Sequence, residues 1–273
     1  MIVARISEGG RERWARVEGS VALTSERPLT LAETAAAGEG MLERSIPLTD
    51  VTLLAPTLPD TKILCVGLNY RDHVAETGRD LPSHPVIFTR YPDSLVGPGA
   101  PIVVPAVSHR LDYEAELAVV IGSGGRAIPA ERALDHVLGY TLLNDGSVRD
   151  FQRHTAQFTP GKNFEASGSV GPWIVTRDAV GELGPQAITL TLGGERLQSS
   201  TLDQLIFGVP ELIAYVSTFT PLRPGDIIAT GTPGGVGSVR SPRRWMTPGE
   251  EVVVAIDGLG ELRNPIVAEV PAA

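Results

Sequence analysis

Short runs of β-forming residues, separated by glycine and proline turns, follow one another along most of this chain. They begin with IVARI, WARVEG and SVALT and continue through PVIFTR, PIVVP, AELAVVIG, GYTLLND, GPWIVT, AITLTLGG, GDIIATG and EEVVVAID. Helical periodicity is confined to YRDHVAETG, PAERALDHV, VRDFQRHTAQF and LDQLIFGVPELIAYVSTF, the last interrupted by Pro210. Because few strands alternate with long helices, a doubly wound parallel sheet is disfavoured. The pattern predicts an α+β fold that is mainly β, with peripheral helices.

A change of pattern near residue 58 divides the chain in two. Before it, three strand-like runs lead into LTLAETAAAGEGMLERS, which is typical of a helix with a break around Gly38 and Gly40. The linker APTLPDTK contains two prolines and an aspartate, and KILCVGLNY after it is typical of a buried strand. We therefore predict a small N-terminal α+β domain over residues 1–58 and a main domain over residues 59–273.

Composition restricts the partners and the location that we expect. A net charge of −9 disfavours general binding to nucleic acid or to an anionic membrane, so small molecules or further copies of the chain are the expected partners. The start, MIVARISEGGRERWARVEG, carries charges too early for a signal-peptide core, and no apolar run approaches a membrane span of about 20 residues. We therefore expect a cytoplasmic protein. Its single cysteine, Cys65 in ILCVG, is predicted to be a buried and inert thiol.

A group of acidic residues is the feature that most strongly indicates a functional site. In an extended strand Asp112, Glu114 and Glu116 share one face, and Asp145 follows in GYTLLNDGSVRD. Two like charges about 4 Å apart repel by roughly 4 kcal/mol near a protein surface, a cost that a cation would offset. Carboxylates without histidine or cysteine ligands suit Mg²⁺, Mn²⁺ or Ca²⁺. The alternative is that these acids form the solvated face of an edge strand.

Three other features have both a functional and a structural interpretation. The loop GTPGGVGS, residues 231–238, lacks the lysine of a nucleotide-binding loop, so it either brings backbone N–H groups to a small anion or forms a tight turn. His73 and Glu76 lie three apart on one face of a predicted helix, as a general base or as a surface contact. Lys162 is one of only two lysines beside 21 arginines, and it either stabilises an enolate or is a solvated loop residue.

Taken in order, the segments GLNYRDHVAE, LDYEAELAVVIG, GYTLLNDGSVRD, TPGKNF, GPWIVT, LRPGDIIATGTPGGVG and DGLGELRNPIV resemble the fumarylacetoacetate hydrolase family from about residue 60 to the end. The resemblance implies a fold of mixed β-sheets, often a homodimer, that acts on 2-oxo or 2,4-dioxo acids with Mg²⁺ or Mn²⁺. It implies metal ligation by Glu114, Glu116 and Asp145, catalytic roles for His73, Glu76 and Lys162, and substrate contacts by Gln152, Thr232 and Arg149.

The chain departs from the family pattern at three positions. Gly146 stands where a hydrophobic residue is more common, Arg90 where a lysine is more common, and Glu165 where an aspartate is more common. Arg90 in place of lysine offers a planar two-point contact to a carboxylate. We therefore predict that Arg90 binds the substrate carboxylate.

Together the residues and the resemblance predict a metal-dependent hydrolase that cleaves a carbon–carbon bond in a 2,4-dioxo acid such as an acylpyruvate. His73, oriented by Glu76, would activate water, and Lys162 would help to hold the enolate charge. Two alternatives stay open. One is decarboxylation or isomerisation of a 2-oxo diacid on the same site, and the other is a protein that binds metal or oxo acid without turnover.

Overall fold

The computed structural model describes residues 1–38, 40–78 and 80–270, and it confirms the mainly β prediction. The strands are β1 (Ile2–Glu8), β2 (Arg11–Glu18), β3 (Val21–Thr24), β4 (Arg44–Pro47), β5 (Thr52–Leu54), β6 (Ile63–Gly67), β7 (Val86–Arg90), β8 (Leu95–Val96), β9 (Ile102–Val104), β10 (Leu111–Asp112), β11 (Ala115–Ile121), β12 (Val137–Asn144), β13 (Ser147–Val148), β14 (Gly168–Thr176), β15 (Ala187–Leu192), β16 (Glu195–Thr201), β17 (Ile227–Ala229), β18 (Glu251–Ile256) and β19 (Gly260–Ala268). The α-helices are α1 (Leu31–Ala36), α2 (Arg71–Thr77), α3 (Arg149–Gln152), α4 (Thr159–Lys162), α5 (Arg177–Val180) and α6 (Val209–Phe219). Short 3₁₀ helices cover Leu48–Asp50, Pro92–Ser94, Ala130–His136, Leu202–Gln204 and Gly237–Val239.

The largest sheet runs through both halves of the chain. Its order is β4-β3-β2-β1-β14-β12-β11-β17-β6-β7, with β5 paired to β1 and β8 paired to β14. Most pairs are antiparallel, but β17 and β6 are parallel, so the sheet is mixed. Because β1 pairs with β14, hydrogen bonds of the sheet cross the predicted boundary near residue 58. The division into two domains stays a prediction.

A second sheet, in the order β16-β15-β18-β19-β9, covers one face of the first. The main hydrophobic core includes Leu117 and Val119 of β11, Leu190 of β15 and Val254 of β18, all with at most 1% exposure. Alternate residues of β11 point to this core and to a second cluster on the other face, which is why every residue of β11 is buried.

Several elements differ from the sequence prediction. The window PAERALDHV forms a 3₁₀ helix, and VRDFQRHTAQF is helical only in α3. Pro210 does not interrupt α6, because it lies in the first turn, where its missing N–H has no partner to lose. β16 and β19 were not predicted, since their polar composition hides the alternation of buried and exposed residues seen in β19.

The structure also bears on the predictions about a membrane span and about Cys65. None of the described helices is both long and apolar enough to cross a membrane. Cys65 is fully buried in β6, and burial raises the pKa of its thiol well above the usual value, which agrees with an inert side chain.

Candidate active site

Strand pairing brings the predicted metal ligands together. Glu116 lies in β11, Glu114 directly precedes that strand, and Asp145 directly follows β12. β11 and β12 are antiparallel, so the start of one lies beside the end of the other, with Ala115 opposite Asn144. The backbone N–H of Asp145 donates to the Glu114 carbonyl over 2.9 Å, which fixes the turn after β12.

The resulting cluster has the donor set of a hard-cation site. Glu114, Glu116 and Asp145 are all buried, and each offers a carboxylate oxygen within 4.8 Å of the others. Ligands about 2.1 Å from Mg²⁺ in an octahedron are about 3 to 4.2 Å apart, so this spacing fits. Only oxygen ligands are present in the cluster, which suits Mg²⁺, Mn²⁺ or Ca²⁺ better than zinc. The residues therefore fit a divalent cation.

Lys162 lies at the centre of this acidic cluster. Its Nζ is 2.7 Å from Glu114 Oε2 and 2.5 Å from Asp145 Oδ2, and it lies 4.9 Å from the centroid of the Phe88 ring. Burial acts to lower the pKa of Lys162, but Asp145 and Glu114 outweigh it and raise the pKa above the usual value. The lysine is therefore a fixed cation beside the metal ligands, and the interpretation as a solvated loop residue is wrong. Each carboxylate oxygen has a second lone pair, so contact with Lys162 leaves these groups able to bind a metal.

The pKa values of the two glutamates in the cluster are shifted in opposite directions. Burial alone would raise the pKa of Glu114, but Lys162 and Arg149 lower it to about 2. Burial raises the pKa of Glu116 well above its usual value, and the nearby charges of Asp145 and Glu114 raise it further. A proton on Glu116 would relieve the like-charge repulsion in the absence of a metal.

His73 and Glu76 form the expected pair on α2. His73 Nδ1 lies 2.7 Å from Glu76 Oε1, which leaves Nε2 as the ring nitrogen free to act on a substrate. The imidazole is nearly buried, with 8% exposure, so the pair is not a surface contact. α2 follows β6, which pairs with β17 next to β11, and this places the imidazole at the same end of the sheet as the acids.

The backbone N–H groups in the loop of residues 231–238 donate hydrogen bonds to protein carboxylates. Gly231 N–H donates to Glu116 over 2.8 Å, and Gly235 N–H donates to Glu76 over 2.7 Å. Gly237 and Ser238 N–H groups donate to Asp112 over 2.8 and 3.0 Å. These four donors are therefore unavailable to an anionic ligand. The loop instead ties together acids of the metal cluster, the His73 pair and Asp112.

A cavity of about 630 Å³ joins these groups. Every predicted site residue lines it except Asp145, which lies behind Lys162, and Arg90. Arg149, Gln152 and Thr232 line the cavity, and their contact with a substrate stays a prediction.

Arg90 does not lie where it was predicted to lie. It is 1% exposed, and its five N–H donors all have protein acceptors: Asp145 Oδ1 at 2.6 Å, the Gly146 carbonyl, the Ser94 carbonyl and hydroxyl, and the Ser167 hydroxyl. A guanidinium with every donor engaged has none left for a substrate carboxylate. The prediction that Arg90 contacts substrate is therefore wrong in this structure, because the side chain instead binds the carboxylate of Asp145 in the acidic cluster.

The other two departures from the family pattern also have structural outcomes. A Cβ at Gly146 would lie 1.8 Å from the Ser167 carbonyl oxygen, so glycine permits this close backbone approach. Glu165 is exposed and does not line the cavity.

Several residues that line the cavity were not predicted from the sequence. Phe88 and Phe158 line it with their rings 5.7 Å apart in an edge-to-face arrangement, and Val236 and Val239 add apolar surface. Arg153 lies exposed at the rim, and no ion pair or side-chain hydrogen bond engages it among the described residues. In the sequence, only its position next to Gln152 indicated that Arg153 lies at the site.

With the site described, comparison with known proteins decides the family. The family model described as "Fumarylacetoacetate (FAA) hydrolase C-terminal" matches residues 62–267, which include the whole acidic cluster and the His73 pair. The chain belongs to the fumarylacetoacetate hydrolase family. The resemblance in the sequence motifs is thereby confirmed.

Relatives within this family have different activities in their names. The chain is 42% identical over 224 residues to "Oxaloacetate tautomerase FAHD2B, mitochondrial" of Bos taurus, covering 81% of this chain and 71% of that protein. It is similar to the solved fumarylacetoacetate hydrolase of the psychrophile Exiguobacterium antarcticum, with a TM-score of 0.86 and 37% identity, over 98% of this chain and 100% of that one. The solved 2-hydroxyhepta-2,4-diene-1,7-dioate isomerase of Mycobacterium marinum gives a TM-score of 0.84 at 34% identity, over 99% of this chain and 100% of that one.

Proposed function

We propose that this chain is a metal-dependent enzyme that moves a proton at the carbon next to the carbonyl of a 2-oxo diacid, and so interconverts its keto and enol forms. The observation that carries the proposal is that a histidine–carboxylate pair, a buried lysine and three buried carboxylates share one cavity. Relatives named oxaloacetate tautomerase and dienedioate isomerase support the substrate class. A bound divalent cation would act as a Lewis acid toward the 2-oxo and carboxylate oxygens.

The protein groups have distinct parts in this reaction. His73 Nε2 takes the proton from the carbon, because Glu76 holds Nδ1 and fixes the tautomer and orientation of the ring. Lys162 is held as a cation by Glu114 and Asp145, which engage its three N–H donors. It therefore stabilises the negative charge that develops on the carbonyl oxygen through its electrostatic field and not through a hydrogen bond. Return of the proton to that oxygen gives the enol, so the net reaction is an isomerisation.

Arg153 supports a substrate with a second anionic group. Of the cations that line the cavity, Lys162 and Arg149 are neutralised by buried carboxylates, whereas Arg153 has no ion-pair partner in the described parts of the chain. A diacid bound with one carboxylate at the metal cluster would place the other toward this rim.

Hydrolysis of a 2,4-dioxo acid is the second candidate. A cavity of about 630 Å³, with apolar surface at Phe88 and Phe158, has room for a longer acyl chain. The His73 pair is equally suited to activate water. The solved fumarylacetoacetate hydrolase relative supports this alternative.

A product assay distinguishes the candidates. The Mg²⁺-loaded protein is incubated with oxaloacetate, acylpyruvates and a longer 2-oxo diacid, while enol absorbance is followed and products are identified. Faster approach to keto–enol equilibrium without new products supports the isomerase. Pyruvate plus a second acid supports the hydrolase, release of CO₂ supports the decarboxylase alternative, and no reaction with any of them argues for a binding protein.

Arg153→Ala tests the diacid in the same assay. The substitution should raise KM for the diacid about tenfold and leave KM for a monocarboxylate analogue unchanged, because only the diacid places charge at the rim. Arg11→Ala, in the exposed β1–β2 hairpin, is the matched control. Equal KM changes for both substrates would remove the argument for a diacid.

A further inference from the structure

We propose that Asp112 is a positioning residue that holds the carboxylate of Glu114 in its metal-binding orientation, acting through Arg149. This inference rests on the proposed metal site. Asp112 is outside the carboxylate triad of Glu114, Glu116 and Asp145, and the proposed reaction gives it no part.

Asp112 is fully buried, and its two oxygens accept four hydrogen bonds. Oδ1 accepts from the backbone N–H groups of Tyr113 and Gly237 over 2.9 and 2.8 Å. Oδ2 accepts from Ser238 N–H over 3.0 Å and from Arg149 Nε over 2.7 Å. Three of the four donors are backbone groups, so the carboxylate cannot turn without breaking several bonds at once. It is a rigid anchor for the guanidinium.

Arg149 transmits this anchoring to the metal cluster. Its Nη2 lies 2.6 Å from Glu114 Oε1, and its Nη1 donates to Gln152 Oε1 over 3.0 Å. A guanidinium is planar, so fixing Nε on Asp112 also fixes the direction of the two Nη groups. One buried arginine thus sets the position of a metal ligand and of a residue that lines the cavity.

Glu114 needs this support because its backbone contacts do not orient its carboxylate. The residue lies between β10 and β11, where its N–H donates to Asn144 Oδ1 over 3.0 Å and its carbonyl accepts from Asp145 N–H over 2.9 Å. Its carboxylate is held only by side chains: Lys162 Nζ donates a hydrogen bond to Oε2, and Arg149 Nη2 forms an ion pair with Oε1. Mg²⁺ demands near-ideal octahedral geometry, and loss of a group that orients a ligand typically costs 10- to 100-fold in metal affinity.

The competing explanation is that Asp112 only closes the turn at Gly237 and Ser238. That role would make the residue important for folding but would not link it to Glu114. The two explanations differ in metal affinity measured on folded protein, and in whether Asp112 and Arg149 act as one unit.

The experiment is titration of Mg²⁺ by calorimetry into four variants of the full-length, metal-free chain. Asp112→Asn keeps the size of the side chain and removes its charge, while Arg149→Lys keeps charge but loses the planar bridge. We expect each to weaken Mg²⁺ binding about 10- to 100-fold, and the double variant to be little worse than either single variant. Asp150→Asn is the control, because Asp150 is next to Arg149 on α3 but bonds the Ser108 hydroxyl and not the cluster.

Each other outcome contradicts the proposal in a specific way. Asp112→Asn with lower thermal stability but unchanged Mg²⁺ affinity would leave the residue a purely structural role, and additive losses in the double variant would remove the connection through Arg149. If Asp112→Asn does not fold, Arg149→Lys decides alone, since unchanged affinity there overturns the proposal. A wild-type chain that binds no Mg²⁺ would instead contradict the proposed metal site itself.

Discussion

Arg90 has the chemistry to bind a substrate carboxylate, but in this structure it binds the carboxylate of Asp145. Replacement by lysine keeps the charge but leaves at most three donors for the five hydrogen bonds that the guanidinium makes. Because hydrogen bonds to charged groups contribute about 1.5 to 3 kcal/mol each, we expect Arg90→Lys to lower the free energy of unfolding by at least about 3 kcal/mol in urea denaturation.

Arg153→Lys is the control for this prediction. Arg153 is exposed at the cavity rim, so its replacement should leave the unfolding free energy within about 0.5 kcal/mol of wild type. A variant at Arg90 that keeps its stability but raises KM would restore the direct substrate contact that the structure contradicts.

His73 and Glu76 are the residues whose removal tests the chemistry most directly. His73→Ala should lower kcat by roughly 10² to 10⁴ and leave Mg²⁺ affinity nearly unchanged, because the imidazole acts on a proton and does not contact the carboxylate triad. Glu76→Gln should have a smaller effect in the same direction. The double variant should be little slower than His73→Ala, since both residues serve one step.

Rates on the best substrate, with Mg²⁺ binding followed by calorimetry, provide the measurement. If both single variants stay near the wild-type rate and no CO₂ is released, another base performs the proton transfer. If CO₂ is released at that rate, the result favours simple decarboxylation, in which a bound metal would accept the enolate charge.

Among the elements, the loop of residues 231–238 connects the most parts of the site. Its N–H groups donate to Glu116, Glu76 and Asp112, so a shift of the loop would disturb the acidic cluster and the His73–Glu76 pair together. A Cβ at Gly237 would lie 1.6 Å from the Arg244 carbonyl oxygen and 2.7 Å from Asp112 Oδ1. Glycine is required there because the backbone of residue 244 passes so close.

Gly237→Ala should therefore destabilise the protein by about 1 to 3 kcal/mol or more and should also weaken Mg²⁺ binding. Gly184→Ala is the matched control, because no atom lies within 4 Å of its Cβ position and the same group is added. Thermal unfolding and Mg²⁺ titration of both variants provide the test. Similar behaviour of the two proteins would mean that the loop tolerates displacement.

Local sequence signals predicted most strands but not how the strands pair. β11 and β12 were predicted because their apolar runs are long, whereas β16 and β19 were missed because they mix polar residues with a few buried ones. Pairing joins residues far apart in sequence, as where β1 meets β14, and no local pattern encodes that contact.

Prediction of the candidate site had the same limit. Residue type and family motif identified the acids, Lys162 and the His73 pair, because these residue types themselves indicate metal binding or acid–base chemistry. They did not identify what the supporting groups contact: Arg90 binds Asp145, which is 55 positions away, and Asp112 binds Gly237, which is 125 positions away. Hydrogen-bond partners at such separations depend on the assembled sheets, so sequence alone could not assign them.

At the scale of the whole molecule, buried charge links metal binding to stability. Four buried acids, Asp112, Glu114, Glu116 and Asp145, face three buried cations, Arg90, Arg149 and Lys162, which leaves one excess negative charge when all are ionised. Because the pKa of Glu116 is raised, a proton on Glu116 would relieve this excess in the metal-free folded protein. A divalent cation would displace that proton on binding.

The sign of the resulting pH dependence follows from linkage. Above the usual glutamate value of 4.5, the unfolded chain releases the Glu116 proton while the metal-free folded protein retains it, so the stability of the metal-free protein falls as pH rises toward the raised pKa. Glu114, with its pKa lowered to about 2, acts in a different range, since its stabilisation is present above 4.5 and is lost only as pH falls toward 2. Mg²⁺ binding needs ionised Glu116, so its stabilising effect should grow over the range in which the metal-free protein weakens.

We therefore expect the rise in Tm caused by saturating Mg²⁺ to be larger at about pH 8 than at about pH 5, and Mg²⁺ binding to release up to about one proton. At a hundredfold excess over Kd, the stabilisation at the higher pH should be about 2.7 kcal/mol. Thermal unfolding with chelator and with Mg²⁺, together with calorimetry in buffers of different ionisation enthalpy, measures both quantities. Glu116→Gln should remove the proton release and most of the Mg²⁺ effect. A Tm shift that is independent of pH, with no proton released, would mean that Glu116 is already ionised in the metal-free protein. Arg90, Arg149 and Lys162 would then balance the acidic cluster without a bound proton.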